Sequence, residues 1–174
     1  METRIERLAP EDYDAHVDGL ARLLSDCVHD GASVSFVLPL TLGECQAFWR
    51  GKVRPGVVAG TRDLLIARHG GRIVGTVHLD RDTPPNQPHR AEVVKLLVHP
   101  DCRRRGIARA LMTELERLAV ERERTLITLD TRAGDSAEPL YLSLGFEIAG
   151  IIPDYALDPF GGKRDPVSFM FKQL

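Results

Sequence analysis

From Glu11 onward, Val17, Leu20, Leu24 and Val28 recur at spacings of three and four, which places them on one face of a helix closing near Asp30-Gly31. Ahead of Pro10, Thr3 to Leu8 alternates weakly through Ile5 and Leu8 and reads as an edge strand. Residues 31–40, GASVSFVLPL, form a loop with an apolar tip. Thr41 and Glu44 have the spacing of a capping box, and the helix they open turns Cys45, Phe48 and Trp49 inward. Leu64 to Ala67 and Ile73 to Leu79, short and partly β-branched, flank His69-Gly70-Gly71-Arg72 and predict a hairpin. Pro84, Pro85 and Pro88 break strand pairing between Thr83 and Arg90.

Ala91 to Val98, AEVVKLLV, is too continuously apolar for a strand with one wet face and predicts a buried central strand ending at His99-Pro100-Asp101. After Arg103-Arg104-Arg105-Gly106 a helix runs to about Glu123, with Ile107, Leu111, Leu115 and Leu118 inside and Glu114, Glu116, Arg117 and Glu121 outside. Thr125 to Leu129 predicts a further buried strand with Asp130 at its carboxyl end. Within 131–145 a short helix carries Ala137, Leu140 and Leu144 on one side and stops at Gly145. Phe146 to Ile152 and Val167 to Lys172 complete the strands, separated by a loop over 153–166 rich in Pro, Gly and Asp. The pattern predicts a single α/β domain over residues 1–174, a central mixed β-sheet flanked by helices, without repeat or linker.

A length of 174 residues agrees with one domain, since two would each be marginal. Lys and Arg total 23 against 25 for Asp and Glu, a formal charge of -2, which excludes a surface built throughout to bind nucleic acid. METRIERLAP is not a secretory signal, and no apolar run approaches the ~18 residues of a membrane span, so a cytoplasmic protein with no membrane partner is expected. Cys27, Cys45 and Cys102 are odd in number and form no C-x-x-C, which predicts free thiols. The six histidines show no metal-ligand spacing, and no P-loop motif occurs, so no metal is expected.

The most informative stretch is strand, tight turn and helix: VVKLLVHPDCRRRGIARALMTELERLA. A helix N-terminus offers unpaired N–H groups and a partial positive charge to an anion. Gly106 and Ala108 are small enough to let a phosphate approach, and arginines add bidentate donors. On physical grounds this is a phosphate or pyrophosphate cradle. It competes with a solvated basic turn before an amphipathic helix, and with a nucleic-acid patch that the lack of interleaved aromatic residues disfavours.

The pattern R-x-x-G-x-A at Arg103, Gly106 and Ala108 resembles the acetyl-coenzyme A motif of the GNAT superfamily of N-acetyltransferases. AEPLYLSLGFEIAG, residues 137–150, is similar to the superfamily's second hallmark, a helix carrying Leu-Tyr and ending at Leu-Gly-Phe. Residues 29–40, 90–100, 129–134 and the terminal MFKQL narrow the likeness to the tabtoxin-resistance acetyltransferases. The resemblance implies a GNAT-type acyl-CoA N-acyltransferase fold, with acetyl-CoA as cosubstrate and a small amino-acid-like amine, a toxin or antibiotic, as acceptor. Dimers are common in the superfamily, but no apolar stripe legible in the sequence demonstrates one. Residue by residue, it implies backbone contacts from Leu97 and Val98 to the pantetheine arm and from Arg103, Arg104, Arg105, Gly106, Ile107 and Ala108 to the pyrophosphate. Tyr141 would be the acid for the leaving thiolate, and Glu92 and Asp130 would face the amine. Many members carry Asn near Gly134; here Gly134-Asp135-Ser136 stands there, leaving Ser136 or backbone groups to substitute.

An alkyl ammonium, pKa ~10.4, is almost wholly protonated at neutral pH, so attack on a thioester needs a base. Glu92 shares a strand face with Val94, Leu96 and Val98 in a period of two, an odd place for a charge unless a cleft lies there. The plainer reading pairs Glu92 with Arg90 or Lys95. Asp130 at a strand end either borders a ligand crevice or caps a turn, and Tyr141 is either an acid or a half-buried aromatic. The acids Glu11, Asp12, Asp14, Asp18, Asp26 and Asp30 form a solvated helix face or an acidic rim for a cationic amine. His78 is within reach of an acceptor site but better explained as a satisfied strand histidine. Cys102 has no histidine positioned by sequence to activate it, which argues against an acyl-cysteine route. The rival functions are peptide-lysine acetylation and a non-catalytic acyl-CoA-binding module.

Overall fold

Seven strands form one mixed sheet in the computed structural model, which describes residues 3–174. The elements are β1 (Arg4–Arg7), α1 (Tyr13–His29), α2 (Leu42–Phe48), a π-helical turn (Trp49–Val53), α3 (Arg54–Val58), β2 (Arg62–His69) and β3 (Arg72–Asp80). They continue with β4 (Arg90–Val98), α4 (Ile107–Glu121), β5 (Leu126–Arg132), α5 (Ala137–Ser143), β6 (Glu147–Leu157) and β7 (Arg164–Gln173). The order across the sheet is β1-β2-β3-β4-β5-β7-β6, with only β4 and β5 parallel. The capping box forms, Thr41 accepting from the Glu44 N–H at 3.2 Å and Glu44 accepting from the Thr41 N–H at 2.8 Å. No described helix is long and apolar enough to cross a membrane.

Each face of the sheet has its own core. On one, Leu111, Met112 and Leu115 of α4 pack on Leu65, Val77, Leu79, Ala91 and Ile127, joined by Tyr141 of α5. On the other, Val17, Leu20 and Leu24 of α1 meet Trp49, Leu64, Ile66 and Leu97. α4 comes so near β3 that a Cβ on Gly75 would sit 3.1 Å from Leu111 and 3.1 Å from the Leu97 carbonyl. Glycine is required there by contact, because backbone cannot yield as a flexible side chain can.

Three expectations change. The loop expected over 153–166 is mostly strand: β6 and β7 pair out to Leu157–Arg164, and a register shift between Ile152 and Ala156 absorbs Pro153 and Asp154 on an edge strand, where proline is tolerated. That edge carries a stripe of exposed apolar residues, Ile148, Ile151, Ile152, Tyr155 and Leu157, not evident from the sequence. Asp130 lies inside β5, paired with Phe169, rather than at its end.

At the edge of the β2–β3–α4 layer, Asp63 is 7% exposed and receives Arg122 at 2.9 Å, Arg81 at 3.1 Å and Arg7 at 3.2 Å. Burial pushes its carboxyl up, but the Arg122 hydrogen bond and the Arg81, Arg122 and Arg7 charges outweigh this and hold it below the usual range. A depressed folded pKa contributes stability that is complete above about pH 4 and lost as pH falls through the folded value. Asp63→Asn should therefore unfold at lower urea concentration than the parent at pH 7, and the gap should narrow towards pH 2. A gap independent of pH would refute the assignment.

Candidate active site

β4 and β5 pair only at Arg90–Leu126, Ala91–Ile127 and Glu92–Thr128. Beyond Glu92, β5 continues on β7 to Arg132, while β4 stays with β3 to Val98, so the two strands part. On its other side β4 bulges: the register with β3 shifts between Thr76 and His78, and Lys95 takes φ 55. A bulge bends the strand and adds twist, which opens the wedge. The resulting cleft holds about 710 Å³, walled by loop residues 30–35, β4 from Glu92, the turn into α4, the end of β5 and α5.

One end gathers backbone donors. Gly106, the N-cap of α4, has φ 80, and no side chain caps the helix. The first helical hydrogen bond runs from Ala110 to the Gly106 carbonyl at 3.0 Å, which leaves the Ile107, Ala108 and Arg109 N–H groups without an acceptor among the described residues. Unsatisfied donors and the helix dipole converge there. Gly106 is needed for its backbone angle, since a Cβ would meet nothing within 4 Å. The arginines divide the work. Arg103 is a strut, its Nε on the Val98 carbonyl at 3.2 Å and its guanidinium on Asp30 at 2.5 Å. Arg104, φ 61, lines the cleft and among the described residues makes no ion pair, and Arg105 is exposed outside the lining. Arg109 donates to Ser143 at 2.7 Å. The Val98 carbonyl also accepts from Cys27 Sγ at 3.5 Å, whose thiol burial pushes up to about 11. Ser136 lines the cleft at the start of α5, its N–H donating to Asp135.

At the other end the sheet brings acids and phenol to opposite sides of the opening. Val93 pairs with Leu79 and both join the α4 core, so Glu92 points to the α1 face. Leu129 belongs to the α4 core, which places Asp130 on that same α1 face. Tyr141 reaches the wedge from the α4 side, packed on Phe146 with ring centroids 5.7 Å apart. Burial first, then the Asp130 charge, push its phenol well above the usual value, so it is a neutral donor. Glu92 is half-exposed, with Arg90 at 3.5 Å. The period-two face argued for Glu92 stops at the bulge: Leu96 and Val98 pack on the α4 core and Leu97 on the α1 core. Alternation cannot survive an inserted residue.

His78 does not line the cleft. It stacks on Trp49 at 5.3 Å, both ring nitrogens without a partner among the described residues, and burial followed by the Arg62 and Lys95 charges holds it neutral. It is a core histidine, but not a satisfied one. Cys102 lines the cleft as a buried thiol. The α1 acids mostly tie neighbours: Asp14 holds Arg54 at 2.8 Å, Asp18 accepts from Gln46 at 2.8 Å, and Asp26 meets His99 at 3.3 Å. Among the described residues no group of His, Cys, Asp and Glu could hold a metal ion.

The sequence reading missed two cations. Lys95 interrupts an apolar strand, itself a signal. Arg132 joins three loops, donating to the Gly31 carbonyl at 3.1 Å and meeting Asp165 at 3.0 Å, Asp135 at 3.8 Å and Asp158 at 3.9 Å. The Leu38 N–H donates to the Pro159 carbonyl at 2.8 Å, so loops 31–40 and 158–163 form one wall beside the acids.

Residues 56–146 match the acetyltransferase (GNAT) family model. An acetyltransferase of Sodalis glossinidius is 35% identical over 86 residues, which are 49% of this chain and 57% of that protein, so the chain matches little more than half of its length. The fold is similar to that of a Salmonella typhimurium acetyltransferase solved with its cofactor acetyl-CoA, TM-score 0.78, 18% identical, covering 100% of this chain and 95% of that one. It is also similar to a ribosomal-protein-alanine N-acetyltransferase of Brucella melitensis, TM-score 0.75, 24% identical, covering 98% and 99%.

Replacing Gly106 by Ala forces a side chain into a left-handed conformation that costs about 1–2 kcal/mol. With open space around it the fold should persist while the N–H cradle turns. Calorimetry should show coenzyme A affinity falling about tenfold, the equivalent of ~1.4 kcal/mol. Unchanged affinity would remove the cradle from α4.

Proposed function

Because this chain belongs to the acetyltransferase (GNAT) family, we propose that it transfers an acetyl group from acetyl-CoA to the primary amine of a small amino-acid-like molecule. The observation that carries this reading is the wedge between β4 and β5, with unpartnered helix N–H groups at one end and carboxylates facing a phenol at the other. The residues present fit acetyl-CoA. When bound, it supplies the activated acetyl thioester.

The N–H groups of Ile107, Ala108 and Arg109 hold phosphate oxygens, with Arg104 adding charge, and this replaces the broader role expected of Arg103 and Arg105. On its β5-facing side β4 has no strand partner beyond Glu92 among the described residues and offers peptide groups, the Val98 N–H included, to an extended amide chain, whereas those of Leu97 face Thr76 of β3 instead; one cleft-facing N–H also polarises the reacting carbonyl. Glu92 and Asp130 draw the acceptor ammonium to the α1 side and take its proton, directly or through water. Tyr141, neutral and on the other side, donates its hydroxyl proton toward the leaving sulfur. The joined wall of loops 31–40 and 158–163 favours a compact acceptor over a peptide segment. The likeness of residues 29–40 to tabtoxin-resistance acetyltransferases supports a toxin or antibiotic of amino-acid type, inactivated by acetylation in the cytoplasm.

Thiol release from acetyl-CoA should appear with small amino-acid-like amines. Glu92→Gln and Asp130→Asn should each lower kcat about 10²-fold or more, with coenzyme A affinity intact. Tyr141→Phe should lower kcat similarly without raising KM for acetyl-CoA. A chain that binds acetyl-CoA yet acetylates no amine would be a binding module instead.

A further inference from the structure

The bulge in β4 delivers a cation that the fold leaves unanswered. Lys95 lines the cleft, and its left-handed φ of 55 turns it to the α1 face. There Nζ donates to Ser35 Oγ at 3.2 Å and lies 5.8 Å and 5.9 Å from the rings of Phe48 and Phe36. These contacts hold an ammonium in place but supply no counter-charge. Among the described residues Lys95 makes no ion pair, although most other charges lining the cleft do: Arg103 with Asp30, Arg132 with three aspartates, and Glu92 with Arg90. Burial lowers its pKa, and the Asp130 charge raises it only in part.

For the fold alone this is an unfavourable choice. A left-handed conformation on a residue with a Cβ is strained, and a desolvated ammonium without a counter-ion is costly. An apolar side chain would pack on Phe36 and Phe48 equally well. Ser35 takes one of the three ammonium protons, which leaves two donors for an anion entering the cleft.

We propose that Lys95 is the anion-recognition residue of the acceptor site, and that the acceptor is therefore an amine that also carries a carboxylate. Resting on the acetyl-transfer reading, the assignment gives the acceptor end both halves of a complement to a zwitterion. Glu92 and Asp130 take the ammonium, and Lys95 takes the carboxylate from the same face of the sheet. Polyamines and lysine side chains in peptides bring a cation with no anion beside it, so Lys95 repels them.

The test measures thiol release with matched acceptors: free L-amino acids, their primary amides and their decarboxylated amines. The amides have a lower amine pKa than the acids and the decarboxylated amines a higher one, so a preference over both reads the carboxylate and not basicity. We expect the best amino acid to exceed both analogues at least tenfold in kcat/KM. Lys95→Met and Lys95→Gln should abolish that preference, chiefly through KM for the acid, and Lys95→Arg should restore most of it. Coenzyme A affinity and thermal unfolding should stay near the parent values. Decarboxylated amines used as well as the acids, or a preference that survives both neutral substitutions, would overturn the inference while acetyl transfer stands. If no amine is acetylated, both fall.

Discussion

A pair of parallel strands that stays together for three residues and then separates is the constraint on which the rest of the structure depends. Every peptide group along a parted edge must find a partner, because buried backbone left unpaired costs as much as a lost hydrogen bond. In β4 the β3 side stays satisfied up to Val98, while the other side is left open to the cleft. Cores on both faces make the opening permanent: α4 presses on β3 at Gly75, and α1 buries Leu97. The cleft is a preformed wedge, and a ligand that fills it replaces a missing strand.

Charge around the wedge is arranged as ties more than as fields. Asp30 with Arg103, and Arg132 with Gly31, Asp135, Asp158 and Asp165, bind the loops at the wide end to the strands. Such ties are individually modest at the surface; their use here is to fix where Glu92, Asp130 and Tyr141 stand. The formal charge of -2 conceals this, since opposite charges are spent on each other.

Much of this was legible in the sequence where a local rule governs. The α1 and α4 stripes, the Thr41 box and the β2–β3 hairpin follow from spacing alone, and the left-handed start of α4 follows from a glycine placed between a strand and a helix. Where geometry depends on a partner strand, the sequence was mute. Nothing in AEVVKLLV shows that the alternation changes phase at Lys95, so Leu96 and Val98 were assigned to the wrong face. Pro153 and Asp154 read as loop because turn chemistry does not reveal that an edge strand absorbs them in a bulge. That the Arg103 side chain is tied up was not legible either, because its partner, Asp30, lies 73 positions away.

The bulge also sets a rule about length. Side chains along β4 can be exchanged one at a time at the usual cost of repacking, but the bulge depends on residue number, because Lys95 and Leu96 stand where β3 offers only Val77. Removing Lys95 would restore a regular ladder with β3, and every side chain beyond it would keep the face it has now. Leu97 would stay in the α1 core, and Leu96 and Val98 in the α4 core, while the wedge lost the kink that holds it open. A single-residue deletion here should therefore spare both cores and close the cleft, whereas the loop over 83–89, on which neither core depends, can change length without touching it.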